Sequence, residues 1–205
     1  MHAIVLAMFR WGRFAAAYAI LGAASSLIAV VWRSGSPLVH PDPWLMLGDP
    51  GRHIYSAMLG AALGGLIVMS TRLFVTRFSW ARRLHAELRP LARGMSLSGI
   101  IALAALSAVG EELLFRGLLA PWLGLVHQAL LFGLVHQIRG PSRWVWVAWA
   151  TLVGLLLGGV FQLSGSLAGP LVAHALVNGL NLHYLKAHDP EPPRRSLGGL
   201  LGQRS

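Results

Sequence analysis

Apolar residues in this chain fall into long uncharged blocks separated by short polar stretches. The first block, residues 14–32, lies between Arg13 and Arg33 and is long enough to cross a bilayer. We read it as a retained helix, since "GAASS" within it makes a weak cleavage site for a signal peptide. A turn-like loop follows, "RSGSPLVHPDPWLMLGDPGRH", rich in Pro, Gly and Asp. The second block is about 54–71. The third begins near Ser96 and runs through two adjacent glutamates. The fourth ends near Ile138, before the turn-like "RGPSR"; the fifth is about 144–161 and the sixth about 166–184. The pattern predicts six transmembrane helices and no strands, an all-α polytopic membrane bundle.

Between the second and third blocks lies "RLFVTRFSWARRLHAELRPLARG". Arg72, Arg77, Arg82, Arg83, Arg89 and Arg93 alternate there with Leu, Phe and Trp. The pattern fits an amphipathic helix on an anionic membrane face, and equally a solvated positive-inside loop. Both readings place it in the cytoplasm. The positive-inside rule then puts both termini inside as well, with Arg10 and Arg13 at one end and Lys186, Arg194 and Arg195 at the other. The Arg139–Arg143 turn lies on the same side. Three regions result: a two-helix region with the basic stretch (1–94), a membrane core (95–186) and a tail expected to be disordered (187–205).

Composition agrees. Of 205 residues, 55% are hydrophobic and only 12% charged, against a much more polar surface on a soluble domain. The net charge of +10 does not indicate nucleic acid, because the basic residues sit between apolar blocks as short membrane-protein loops carry them. No cysteine is present, which excludes a thiol nucleophile or a Cys-ligated metal. The Arg-rich, Lys-poor character suggests a bacterial inner membrane as the location.

Against that background, "SAVGEELLFRGLLAPW" stands out. Two of the seven acidic residues, Glu111 and Glu112, lie side by side in an apolar helix. A charge at a helix centre costs about 2.5–3.5 kcal/mol on insertion scales, so such residues face the bundle interior and find partners. Arg116 follows Glu112 by one turn, the favourable order for an ion pair. Glu111 lies about 100° around the helix from Glu112 and gains no cation from its own helix. A carboxylate in such surroundings is the kind of group that serves as general base or acid. Two more polar pairs at i,i+4 lie in later blocks: Phe132 with His136, and His174 with Asn178. Either histidine alone reads as a packed core residue; three such sites in successive blocks make that reading weaker. For an antiparallel hairpin, Glu111 and His136 are level if the chain turns near Leu123 and Gly124, after Pro121. Asn181, seven residues after His174, is expected on the same face. His2, His40, His53, His85, His127, His183 and His188 read as interfacial or solvated. Trp32, Trp122 and Trp144 read as interface anchors; Trp146 and Trp149 as lipid-facing or packing residues.

"EELLFR", "FGLVH" and "HALVN", in this order, resemble the EExxxR, FxxxH and HxxxN motifs of the CPBP family, the CAAX proteases and bacteriocin-processing enzymes of the Abi type. The resemblance covers about residues 95–185. It implies a membrane-embedded endopeptidase of the glutamic type. Glu111 would activate water and His136 would help to hold it. His174 and Asn178 would stabilise the oxyanion, and Glu112, Arg116 and Phe132 would support the site. It implies no cofactor; Zn²⁺ at Glu111, His136 and His174 is the less favoured option, with HExxH absent. The implied partners are a membrane-associated or lipidated peptide or protein, and the lipid bilayer. Two other readings stand beside it. A carboxylate–histidine chain also suits a proton-coupled transporter, and a non-catalytic copy would serve as an immunity or scaffold protein.

Overall fold

A computed structural model describes residues 2–190, with side chains from Phe14 onward except at 15 and 33. The side chains of His2, Arg10 and Arg13 lie outside the described residues. So do Arg194, Arg195 and most of the tail expected to be disordered.

The described chain is helical and contains no strand; one isolated bridge joins Val39 to Ser166. The helices are α1 (His2–Arg33), α2 (Gly51–Arg77), α3 (Ser79–Arg93), α4 (Leu97–Glu112), α5 (Ala120–Val135), α6 (Arg143–Ser164) and α7 (Ala168–Ala187). A π-helical turn, Leu113–Leu119, joins α4 to α5. Three stretches are long and apolar enough to cross a membrane: Gly51–Arg77, Leu97–Val135 and Arg143–Ser164; Ala16–Trp32 is a shorter apolar helix. The molecule is a membrane helix bundle. All six expected blocks are helices, but α7 falls outside the longest apolar set, because it carries the polar side chains His174, Asn178 and Asn181.

The third and fourth blocks form one continuous stretch with two irregularities, both written in the sequence. Pro121 has no N–H to return to the Gly117 carbonyl, and the turn before it widens to π. Gly124 then adopts φ 81° and ψ 170°, a conformation that favours glycine, and breaks the helix where the hairpin was expected to turn. The chain runs back from there, which brings His136 level with the glutamates.

Packing follows from this path. α2 lies along α7, α5 along α6, and α1 along α4. Ile67 and Val68 of α2, Val153 and Leu157 of α6, and Ala173 and Val177 of α7 form one buried cluster. Lipid tails are as apolar as these side chains, so polar contacts add specificity between helices. At one end, Ser56 donates to the Ser166 carbonyl (2.8 Å) and takes hydrogen bonds from the Ser164 hydroxyl (2.8 Å) and the Gly169 N–H (2.9 Å), fastening α2 to the α6–α7 turn. The Pro-rich loop after α1 crosses that same turn, where the Trp44 and Leu45 N–H groups bond the Gln162 and Leu163 carbonyls.

Much of the basic stretch forms an amphipathic helix, as one of its two expected forms requires, and not a solvated loop. Arg72 and Arg77 belong to α2, and α3 is a helix whose apolar face is covered by protein. Ala81, Leu84, His85, Leu88 and Ala92 are buried against α2 and α7, while Arg82, Arg83 and Arg93 point outward. Glu87 fixes α3 to the α5–α6 turn, accepting from the Ser142 N–H (3.2 Å) and hydroxyl (2.9 Å). Arg89 pairs with Asp189 at 2.9 Å, just beyond α7. The α3 helix is therefore clamped across one end of the bundle.

Candidate active site

The geometry begins at Glu112, which is completely buried. Its Oε1 accepts from Arg116 Nη1 at 2.8 Å and lies 2.6 Å from His174 Nδ1. Arg116, also fully buried, spends a second donor on the Gly154 carbonyl (3.1 Å), which Gln128 also reaches (3.2 Å). Its guanidinium lies over the Phe132 ring, 4.5 Å from the centroid. A buried charge left alone costs several kcal/mol, and these partners offset that cost. The pair therefore holds α4, α6 and α7 in register.

Glu111 points the other way, into a cavity of ≈ 340 Å³. Its Oε2 lies 3.4 Å from His136 Nε2 and 3.9 Å from His174 Nε2. Each histidine is oriented by its other nitrogen. His136 Nδ1 sits 2.6 Å from the Phe132 carbonyl, and His174 Nδ1 faces the Glu112 carboxylate. A carbonyl and a carboxylate can only accept, so both Nδ1 atoms carry the proton and both Nε2 atoms face Glu111. Glu111 Oε2 is buried and has no hydrogen-bond partner within the protein. A buried acceptor of this kind calls for a bound donor.

Asn178 lines the same cavity, one turn after His174, and its amide donates to the Ser107 hydroxyl at 3.0 Å. Phe132 packs against His136 at 4.3 Å between ring centroids and edge-on to Phe115 at 5.0 Å. The structure thus brings Glu111, Glu112, Arg116, Phe132, His136, His174 and Asn178 together from α4, the π turn, α5 and α7. Asn181 also reaches the cavity, and its Oδ1 is buried without a partner. Among the described residues, no group of three or more His, Asp or Glu side chains is arranged to hold a metal ion.

The cavity walls include residues that carry no signature in the sequence. Leu84, His85 and Leu88 of α3 form its roof, with Phe74, Trp146 and Trp149 around it. His85, read as interfacial or solvated, is not solvated: it is buried, lies 3.0 Å from the His188 carbonyl through Nε2, and is edge-on to Tyr184. Burial, against the pull of that carbonyl, holds its pKa below the usual histidine range. His40 is buried too, against Phe161. Trp146 and Trp149 face the cavity as well as their neighbours. Tyr18 of α1 is a further wall residue that sequence reasoning passed over. The rule that singled out the histidines, a polar group inside an apolar block, applies to it equally.

A serine–histidine contact, not evident in the sequence, lies at the opposite end, where His53 Nδ1 is 2.8 Å from Ser166 Oγ and His53 Nε2 is 3.2 Å from Asp49. Ser166 is completely buried and its hydroxyl also accepts from the Ala168 N–H, so it caps a turn rather than facing a substrate.

Comparison with known proteins falls on this same region. Residues 93–180 match the model of a family described as type II CAAX prenyl endopeptidase Rce1-like. These residues form an Rce1-like segment. It begins at the end of α3, holds every residue of the cluster and agrees with the resemblance read from the three motifs. Over 85 residues the chain is also 35% identical to an uncharacterized protein, YpbD, of Bacillus subtilis (strain 168). That match covers 42% of this chain and 44% of YpbD. No solved structure matches.

Proposed function

We propose that the chain is an intramembrane endopeptidase of the glutamic type, hydrolysing a peptide bond in a membrane-associated or lipidated substrate with water as nucleophile. The observation that carries this reading is Glu111 Oε2, a buried acceptor without a protein partner, facing two imidazoles across a cavity. The Rce1-like match over residues 93–180 supports it.

The proposed chemistry follows from the donor pattern. With Nδ1 protonated, neutral His136 offers a lone pair at Nε2, and Glu111 offers another at Oε2. Two acceptors 3.4 Å apart are reconciled by one water that donates a hydrogen to each. Glu111 removes a proton from that water as its oxygen bonds to the scissile carbonyl carbon. The carbonyl π electrons move onto oxygen. His174, as an imidazolium shared with Glu112, donates from Nε2 to this oxyanion. Asn178 donates the amide hydrogen not given to Ser107. Collapse restores the carbonyl, breaks the C–N bond and sends the proton from Glu111 to the departing nitrogen. No step uses a metal, and activity is expected to survive chelators.

The test is membrane terminomics, comparing new N- and C-termini in cells carrying the wild type and Glu111→Gln at matched expression. Termini present only with the wild type are the expected result and reveal the substrate. Identical termini would overturn the endopeptidase reading and favour the immunity or scaffold alternative.

A further inference from the structure

We propose that Tyr18, on α1, is a positioning residue that holds the Glu111 carboxylate in place for proton transfer. The inference rests on the endopeptidase reading and extends the site beyond the segment that matches the family, since α1 lies wholly outside residues 93–180.

Three observations meet at this residue. The Tyr18 side chain lines the same cavity as Glu111, His136, His174 and Asn178. Its hydroxyl interacts electrostatically with the Glu111 carboxylate and is placed to donate to it. The approach of α1 is also built for that contact. Gly110 directly precedes Glu111, and a Cβ there would lie 2.8 Å from the Tyr18 carbonyl oxygen and 3.1 Å from its ring. Only glycine lets the two helices come this close without displacement.

The chemical argument concerns orientation. Glu112 is held by Arg116 and His174, but Glu111 Oε2 has no bond to fix it. A carboxylate at the end of a flexible side chain samples rotamers, and each wrong one turns Oε2 away from the imidazoles. The phenolic O–H supplies a charge-assisted donor from a third direction, anchored on a separate helix. A tyrosine serving only to fill the wall would need no hydroxyl; in an apolar block that group has a cost unless it finds an acceptor. Tyr18 acts through Glu111 and does not touch the scissile bond.

Tyr18→Phe tests this, because it keeps the ring against Gly110 and removes only the donor. The full-length protein is assayed in lipid nanodiscs on the membrane peptide whose termini disappear with Glu111→Gln. We expect kcat to fall by about tenfold or more with KM unchanged, the pattern of a lost charge-assisted hydrogen bond that matters in the transition state. Wild-type kcat, or a raised KM with kcat intact, would make Tyr18 a wall residue and overturn the inference while leaving the endopeptidase reading in place. If Glu111→Gln leaves every terminus unchanged, the reading itself falls and this inference with it. An unaltered thermal unfolding midpoint confirms that the variant is folded.

Discussion

The Rce1-like segment and the region before it solve different physical problems. Residues 93–180 place a buried ion pair, two imidazoles and a second carboxylate between apolar helices. Each of those groups needs a partner at a set distance, so the residue types and their spacing are narrowly fixed. Helices α1 to α3 supply walls and a roof, through Phe74, Leu84 and Leu88. A wall needs bulk and apolarity, which many side chains provide. The same cavity is therefore made partly of residues that leave a readable pattern and partly of residues that do not. Tyr18 is where the two halves meet, a polar group on a wall helix.

The contrast can be broken most sharply at Arg116. Arg116→Met keeps volume and stem but leaves Glu112 buried with one partner fewer. We expect a loss of about 3–5 kcal/mol, read as a lower midpoint of thermal unfolding in nanodiscs. A midpoint unchanged from wild type would show that the ion pair is not what holds α4 and α6 together. On the wall side the expected effect is smaller and of another kind. Leu84→Trp fills the roof and should raise KM by roughly tenfold while kcat stays near wild type. A matching fall in kcat would place α3 in the chemistry and blur the division.

The smallest effect is a pH dependence at the α3 clamp. His85 is faced by Tyr184, His188, Arg89 and Asp189, and its folded pKa lies below the unfolded value of about 6.5. The unfolded state then binds more protons, so attachment of α3 is fully present above the unfolded value and is lost as pH falls below it. Hydrogen exchange in α3 should rise between pH 7.5 and 5.5 in the wild type, and the rise should shrink in His85→Gln. Equal pH responses in the two proteins would contradict it.

The fold was legible wherever a residue broke a pattern. Pro121 and Gly124 announced the hairpin, and the Glu112–Arg116 spacing announced the ion pair. The polar positions of the third, fourth and sixth blocks led to one cavity. What stayed hidden depends on contacts between distant segments. Nothing in α3 alone says that its apolar stripe covers α2 and α7 rather than lying on lipid, because both surfaces are apolar. His40 and His85 read as interfacial or solvated, because burial by distant segments leaves no mark in the residues beside them. The Gly154 carbonyl, as the shared acceptor of Arg116 and Gln128, could not be read from spacing.

One measurement bears most directly on the division between chemistry and wall: the rate of peptide cleavage by purified wild type and Glu111→Gln in nanodiscs of the same lipid composition, with both shown to be folded. The account predicts that Glu111→Gln binds the peptide with wild-type affinity and cleaves it at least about 10³-fold more slowly, in the range lost with a general base. Cleavage within a few-fold of wild type would mean that Glu111 is not the base, and the site would have to be rebuilt around other residues.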